Sequence, residues 1–208
     1  MRTLKGKSDS QEYGLAARRT RQETLSSNAA LVIIDVQKAW DDPRLKVSRN
    51  NPNAERRMAE LLAAWRRTGR PVFHVRHDSR FPRSLFRRGK PGNEIKDEVK
   101  PTAGEPVISK NVNCAFIGTD LEERLRRAEI NEVVITGITT DHCVSTTVRM
   151  AGNLGFKTFV VSDATAAHDR VGIHGERYSA RLMHETSLAS LSGEFAEVVD
   201  SKELLKRL

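Results

Sequence analysis

The 208-residue chain has only two cysteines, Cys114 and Cys143. That is too few for a disulfide framework and fits a reducing, cytoplasmic setting. No apolar run approaches the length of a membrane span, so no membrane partner is expected. The opening stretch MRTLKGKSDSQEYGLAARRTRQ carries basic residues but no apolar core, which argues against a secretory leader. Residues 1–28 are expected to form an exposed N-terminal arm, and the lack of internal repeats, low-complexity tracts or interior linkers leaves one domain over residues 29–208. The turn after the first apolar run lacks a Gly-x-Gly-x-x-Gly pattern, which disfavours a dinucleotide cofactor.

What is present is an ordinary globular composition, 38% hydrophobic and 30% charged. The formal charge of +8 invites a nucleic-acid reading. The basic residues, however, are scattered pairs such as Arg56-Arg57, Arg66-Arg67 and Arg126-Arg127, with no binding motif beside them. A solvated basic face is the expectation, with no nucleic-acid partner and some preference for anionic substrates.

Short apolar runs alternate with amphipathic segments. Leu31–Ile34, Val72–Val75, Val107–Ser109, Val133–Ile135, Phe159–Val161 and Val198–Val199 read as strands. Met58, Leu61, Leu62 and Trp65 line one face of a helix that Asn51 would cap and Pro52 would start. Thr119-Asp120-Leu121-Glu122 reads as a capping box, and a further helix is expected from about Gly175 to Ser192. The polar segment from Asp78 to about Glu105 is long enough to suggest a lid or binding wall. Such alternation predicts an α/β fold with a parallel sheet covered on both faces.

The chemistry concentrates at strand ends. Ile135-Thr136-Gly137-Ile138-Thr139-Thr140-Asp141-His142-Cys143 breaks an apolar strand at a glycine and delivers a cysteine to the start of a helix. Unpaired N–H groups and the helix dipole there would lower a thiol pKa and could hold an oxyanion. Leu31–Ile34 ends in Asp35, and Val107-Ile108-Ser109 ends in Lys110. Ligand crevices of open α/β sheets lie beyond the carboxyl ends of the strands, so Asp35, Lys110 and Cys143 can converge.

These three residues, in the contexts IIDVQ, ISKNVNCAF and TGITTDHCVSTT, resemble those of the isochorismatase-like cysteine hydrolases. That family includes nicotinamidases, carbamoylsarcosine amidases, ureidoacrylate amidohydrolases and streptothricin hydrolases. The resemblance implies a three-layer αβα Rossmann-like fold with a six-stranded parallel sheet in the order 3-2-1-4-5-6. It implies catalytic roles for Cys143 as nucleophile, Asp35 as proton carrier and Lys110 as the balancing charge. It also implies a cis peptide at Ile138–Thr139, with the N–H groups of Thr139 and Cys143 forming an oxyanion hole. Gln37, Trp40 and Phe116 are candidate substrate-binding residues, and a homo-oligomer, dimer or tetramer, is expected. Nicotinamidases of the family carry an Asp-x-His pair and a further histidine that bind a metal. Here Asp41-Asp42-Pro43-Arg44 follows Trp40, and His74 and His77 point to opposite faces of a strand. No metal and no other cofactor is expected. The reading that results is a cytoplasmic hydrolase cleaving a C–N bond in a small amide, ureido or lactam-like compound through a thioester. Nicotinamidase, isochorismatase-type hydrolase and a catalytically idle binding protein are the alternatives, although the cysteine argues against true isochorismatase chemistry.

Overall fold

The computed structural model describes residues 23–45 and 47–208. Most of the expected N-terminal arm lies outside them. Of that arm's described end, Leu25 is buried in the core and its N–H donates to the Arg207 carbonyl.

The strands are β1 (Ala30–Ile34), β2 (Val72–His77), β3 (Val107–Lys110), β4 (Glu132–Ile138), β5 (Lys157–Ala166), β6 (Arg170–Val171), β7 (Arg177–Tyr178) and β8 (Glu197–Val199). Six of them form one sheet in the order β3-β2-β1-β4-β5-β8, with every neighbouring pair parallel. This is the expected 3-2-1-4-5-6 order. Its sixth strand takes the number eight because β6 and β7 pair separately as a small antiparallel hairpin.

The helices are α1 (Ala54–Arg67), α2 (Leu121–Arg127), α3 (Ser145–Asn153), α4 (Ala180–Leu191) and α5 (Ser201–Leu205). Side chains alternate across the strands, so Leu31 and Ile33 of β1 face one layer while Val32 and Ile34 face the other. The first layer packs on Met58, Leu61, Leu62 and Trp65 of α1 and Leu204 of α5. The second packs on Leu121 and Leu125 of α2, Val148 of α3 and Leu188 and Leu191 of α4. Helices cover both faces, which is why the central strands read as unbroken apolar runs.

Four local expectations change. Helix α1 begins at Ala54, and Asn51 does not cap it. Asn51 instead sits at φ +45, and its amide donates to the carbonyls of Ser162 (2.9 Å) and Thr165 (2.7 Å) at the end of β5. Asparagine tolerates this left-handed backbone, and its side chain can satisfy two buried acceptors at once. Helix α4 starts at Ala180 and not near Gly175, because Ser179 accepts from the Leu182 N–H and stops the hairpin there. At α2 the cap position is Asp120, Thr119 donates to the Ala115 carbonyl, and Glu122 pairs with Arg126. The expected capping box is therefore absent. The 78–105 segment is less of a lid than its composition implies. Val99, Asn93 and Lys96 are buried within it, and Asn93 Nδ2 bonds His77 O, Asp78 Oδ1 and Phe86 O, which stitches the loop to β2.

Candidate active site

Strands β1 and β4 are adjacent at the point where the strand order reverses, and Gly137 lets them come close. Its φ is +134, and a Cβ there would lie 2.1 Å from the Ile34 carbonyl oxygen. Only glycine fits. The next peptide, Ile138–Thr139, is cis as expected. The chain then winds a single π-helical turn, Thr140–Val144, before α3. Cys143 sits in that turn, which faces the end of β1.

Asp35 leaves β1 at φ +54, an uncommon conformation for a non-glycine residue. Its carbonyl accepts from the Gln37 N–H (3.0 Å) and from the Trp40 indole N–H (2.7 Å). These two donors hold the turn. The carboxylate is buried, and its Oδ2 accepts from Lys110 Nζ at 2.5 Å. Asp35 Oδ1 is buried with no hydrogen-bond partner. One carboxylate oxygen of Asp35, Cys143 Sγ and one ring nitrogen of His77 all lie within 4.8 Å of one another. Asp35, Lys110 and Cys143 thus converge from three strand ends.

Burial dominates the electrostatics. It raises the Asp35 pKa above the usual carboxylate range, and the neighbouring Lys110 offsets this only in part. Burial together with the Asp35 charge pushes the Cys143 thiol up to about 12. A helix-terminal position alone would have lowered it, but desolvation outweighs the dipole here. Cys143 therefore rests as a thiol beside a carboxylate whose raised pKa suits it to exchange a proton.

The other candidates divide. Gln37 is fully buried, and both of its amide protons are taken by the protein: Nε2 donates to His77 O (3.0 Å) and Asn93 O (2.9 Å), while Oε1 accepts from the His77 N–H (2.9 Å). It joins β1 to β2 and the loop, and its full burial leaves it no exposed atom for a substrate. Trp40 is half-buried, stacked on His168 at 5.0 Å and edge-on to Phe86 at 4.8 Å. Phe116 stacks on Phe156 at 6.0 Å and packs on the second core layer. His74 bonds Glu105 Oε2 on the opposite face of the sheet from His77. His142 is exposed, and its neighbour Asp141 is tied to Arg170 at the base of the hairpin.

Among the described residues, Asp35, His77 and Cys143 are the one group with metal-ligand potential. The Lys110 ammonium already stands within hydrogen-bond distance of both Asp35 and His77, so this space has its cation. The donor set does not fit a metal while that lysine is charged. His77 itself was weighed in the sequence only as a metal ligand. The signal for more was its position: it ends β2 directly opposite Lys110 at the end of β3.

A doubly wound parallel sheet with a charged, thiol-bearing cluster at its switch point is the arrangement of an α/β enzyme. The isochorismatase domain family model matches residues 29–203, and the chain belongs to that family. Isochorismatase family protein YrdC of Bacillus subtilis is 47% identical over 181 residues, covering 87% of this chain and 96% of its own. Nicotinamidase 3 of Arabidopsis thaliana is 27% identical over 201 residues, covering 90% and 92%. An isochorismatase-family crystal structure from Chromobacterium violaceum superposes with a TM-score of 0.85 at 45% identity, covering 89% of this chain and 95% of that one. Family and fold together make the chain a hydrolase.

Proposed function

We propose that the chain is a cysteine hydrolase that cleaves a C–N bond in a small amide, ureido or lactam-like compound through a thioester on Cys143. The observation that carries this reading is the Cys143 thiol set beside the buried Asp35 carboxylate, whose Oδ1 has no other hydrogen-bond partner. Buried polar groups left unpaired call for a reason, and proton transfer is one.

In this reading Asp35 accepts the thiol proton as Cys143 Sγ attacks the carbonyl carbon. Lys110 keeps the cluster near neutrality while negative charge passes from carboxylate to sulfur to substrate oxygen. That oxygen is held by the N–H groups of Thr139 and Cys143, a type of donor worth about 3 to 4 kcal/mol each in measured cases. As the C–N bond breaks, Asp35 returns the proton to the departing nitrogen. Asp35 then takes a proton from water, the hydroxyl adds to the thioester carbonyl, and the sulfur leaves and recovers its proton. Each step moves one proton through Asp35, and the products are an acid and an amine or ammonia.

A panel of small amides, ureido acids and lactams, nicotinamide among them, assayed for ammonia or amine release tests the reading. Intact-mass spectrometry of the quenched enzyme would show the acyl adduct on Cys143. Turnover that survives Cys143→Ala sinks it. The full-length likeness to a nicotinamidase makes nicotinamide a meaningful member of the panel.

A further inference from the structure

The ammonium of Lys110 has three N–H groups and no acceptor of its own. All three have somewhere to go. One donates to Asp35 Oδ2 at 2.5 Å, one to the Val112 carbonyl at 3.2 Å, and the third faces His77 Nδ1 at 3.3 Å. Since the ammonium can only donate, Nδ1 must be the lone-pair nitrogen, and the neutral ring carries its proton on Nε2.

The ring is held as firmly as the contact requires. The His77 N–H donates to Gln37 Oε1, and the His77 carbonyl accepts from both Gln37 Nε2 and Asn93 Nδ2. Phe86 packs edge-on against the imidazole at 6.3 Å. The groups around the ring are Asp35 from the end of β1, Lys110 and the Val112 carbonyl from β3 and the loop after it, Cys143 from the π turn, and Asp78 next in the chain. Gln37 and Asn93 both bond the His77 backbone and so fix where the ring starts.

We propose that His77 is a positioning residue: its unprotonated Nδ1 accepts the third N–H of Lys110, holds the ammonium against Asp35, and so acts on Cys143 through Lys110. This rests on the reading of Cys143 as the nucleophile. A cation on a four-carbon stem is loose unless every donor is engaged. Without the third acceptor, Lys110 has more than one way to point, and the thiolate loses part of its counter-charge. Protonation of His77 also removes the acceptor that holds Lys110, while placing a second positive charge within 4.8 Å of the Cys143 sulfur. Burial and Lys110 both hold the imidazole below its ordinary pKa, which keeps Nδ1 open at neutral pH.

The test needs no substrate. Iodoacetamide alkylation, followed site by site by mass spectrometry from pH 5 to 10, reads the thiolate fraction of Cys143 directly. Asparagine places an acceptor oxygen near the Nδ1 position, glutamine places it one bond further out, and leucine has none. His77→Leu is expected to alkylate about tenfold more slowly than wild type at each pH above 7, equivalent to about one unit in the thiol pKa. His77→Asn is expected to stay within about threefold of wild type, with His77→Gln close to leucine. A break in the pH dependence at acid pH, set by protonation of His77, should appear in wild type and be absent from the asparagine variant.

Leucine alkylating like wild type, or asparagine falling as far as leucine, overturns the proposal. If His77→Leu fails to fold by circular dichroism, the asparagine and glutamine variants decide, and equal rates for those two overturn it. Labelling of Cys114 ahead of Cys143 in the wild-type protein would instead remove the nucleophile reading on which the proposal rests.

Discussion

A thiol pushed up to about 12 is almost wholly protonated at neutral pH, so the proposed attack by Cys143 requires a base such as Asp35 where a free thiolate would not. Cys143→Ala and Cys143→Ser should both abolish turnover while keeping the fold, because the π turn tolerates a small side chain at that position. Iodoacetamide should label Cys143 before the more deeply buried Cys114, and the rate should climb through pH 10 without levelling off. Asp35→Asn should lower kcat/KM by about 10²- to 10⁴-fold, the usual range for losing a general acid–base group. Lys110→Ala should weaken the same step by raising the thiol pKa further. The double variant should be far less impaired than the product of the two losses, as for residues that work as one unit; multiplying losses would make Lys110 a mere ion-pair partner. With the Lys110 ammonium between Asp35 and His77, chelator treatment should leave activity unchanged, and activity restored by added zinc or manganese would refute that. At this scale the charged strand ends were legible in the sequence. The roles of Gln37 and His77 were not, because saturation of an amide or an ammonium depends on partners 40, 56 and 33 positions away.

Secondary-structure elements fix where those residues stand. The apolar runs named every strand of the main sheet, since strands buried on both faces carry a strong local signal. The small β6–β7 hairpin escaped notice because its two-residue strands are largely exposed and have no apolar pattern. Helix starts were misread where a side chain reaches across the fold, as Asn51 does to β5, since capping statistics assume a local partner. Gly137, near the end of β4, was legible as a break but not as a contact. Gly137→Ala should cost more than about 3 kcal/mol of stability, measured by urea unfolding, because the added Cβ collides with the backbone of β1 at an already unfavourable φ. A loss below about 1 kcal/mol would mean that β1 and β4 can separate without harm.

At the scale of the whole molecule, acid should weaken the fold in two stages. His74, His168 and His184 are buried and held below their ordinary pKa chiefly by desolvation. As pH falls through about 6.5 the unfolded chain takes up protons that the native state resists, so stability falls. Glu55 comes next. Burial would raise its pKa, but Arg49 and Lys96 outweigh burial and hold it at about 2, against an ordinary 4.5. Its contribution is full above the ordinary value and is lost as pH drops from there toward 2. Thermal melts from pH 8 to pH 3 should show a first decline below 6.5 and a steeper one below 4.5, and a flat profile across the histidine range would contradict it. Among the described residues no helix is long and apolar enough to cross a membrane. The ion pair at the centre of the cluster joins residues 75 positions apart, in a sheet whose neighbours are all linked by crossovers. Parallel pairings of such long range form slowly, since the loops they close must be ordered before any contact repays them. Reactivity of Cys143 should therefore return late in refolding, after helical signal is regained, and chain fragments ending before α3 should hold no trace of it.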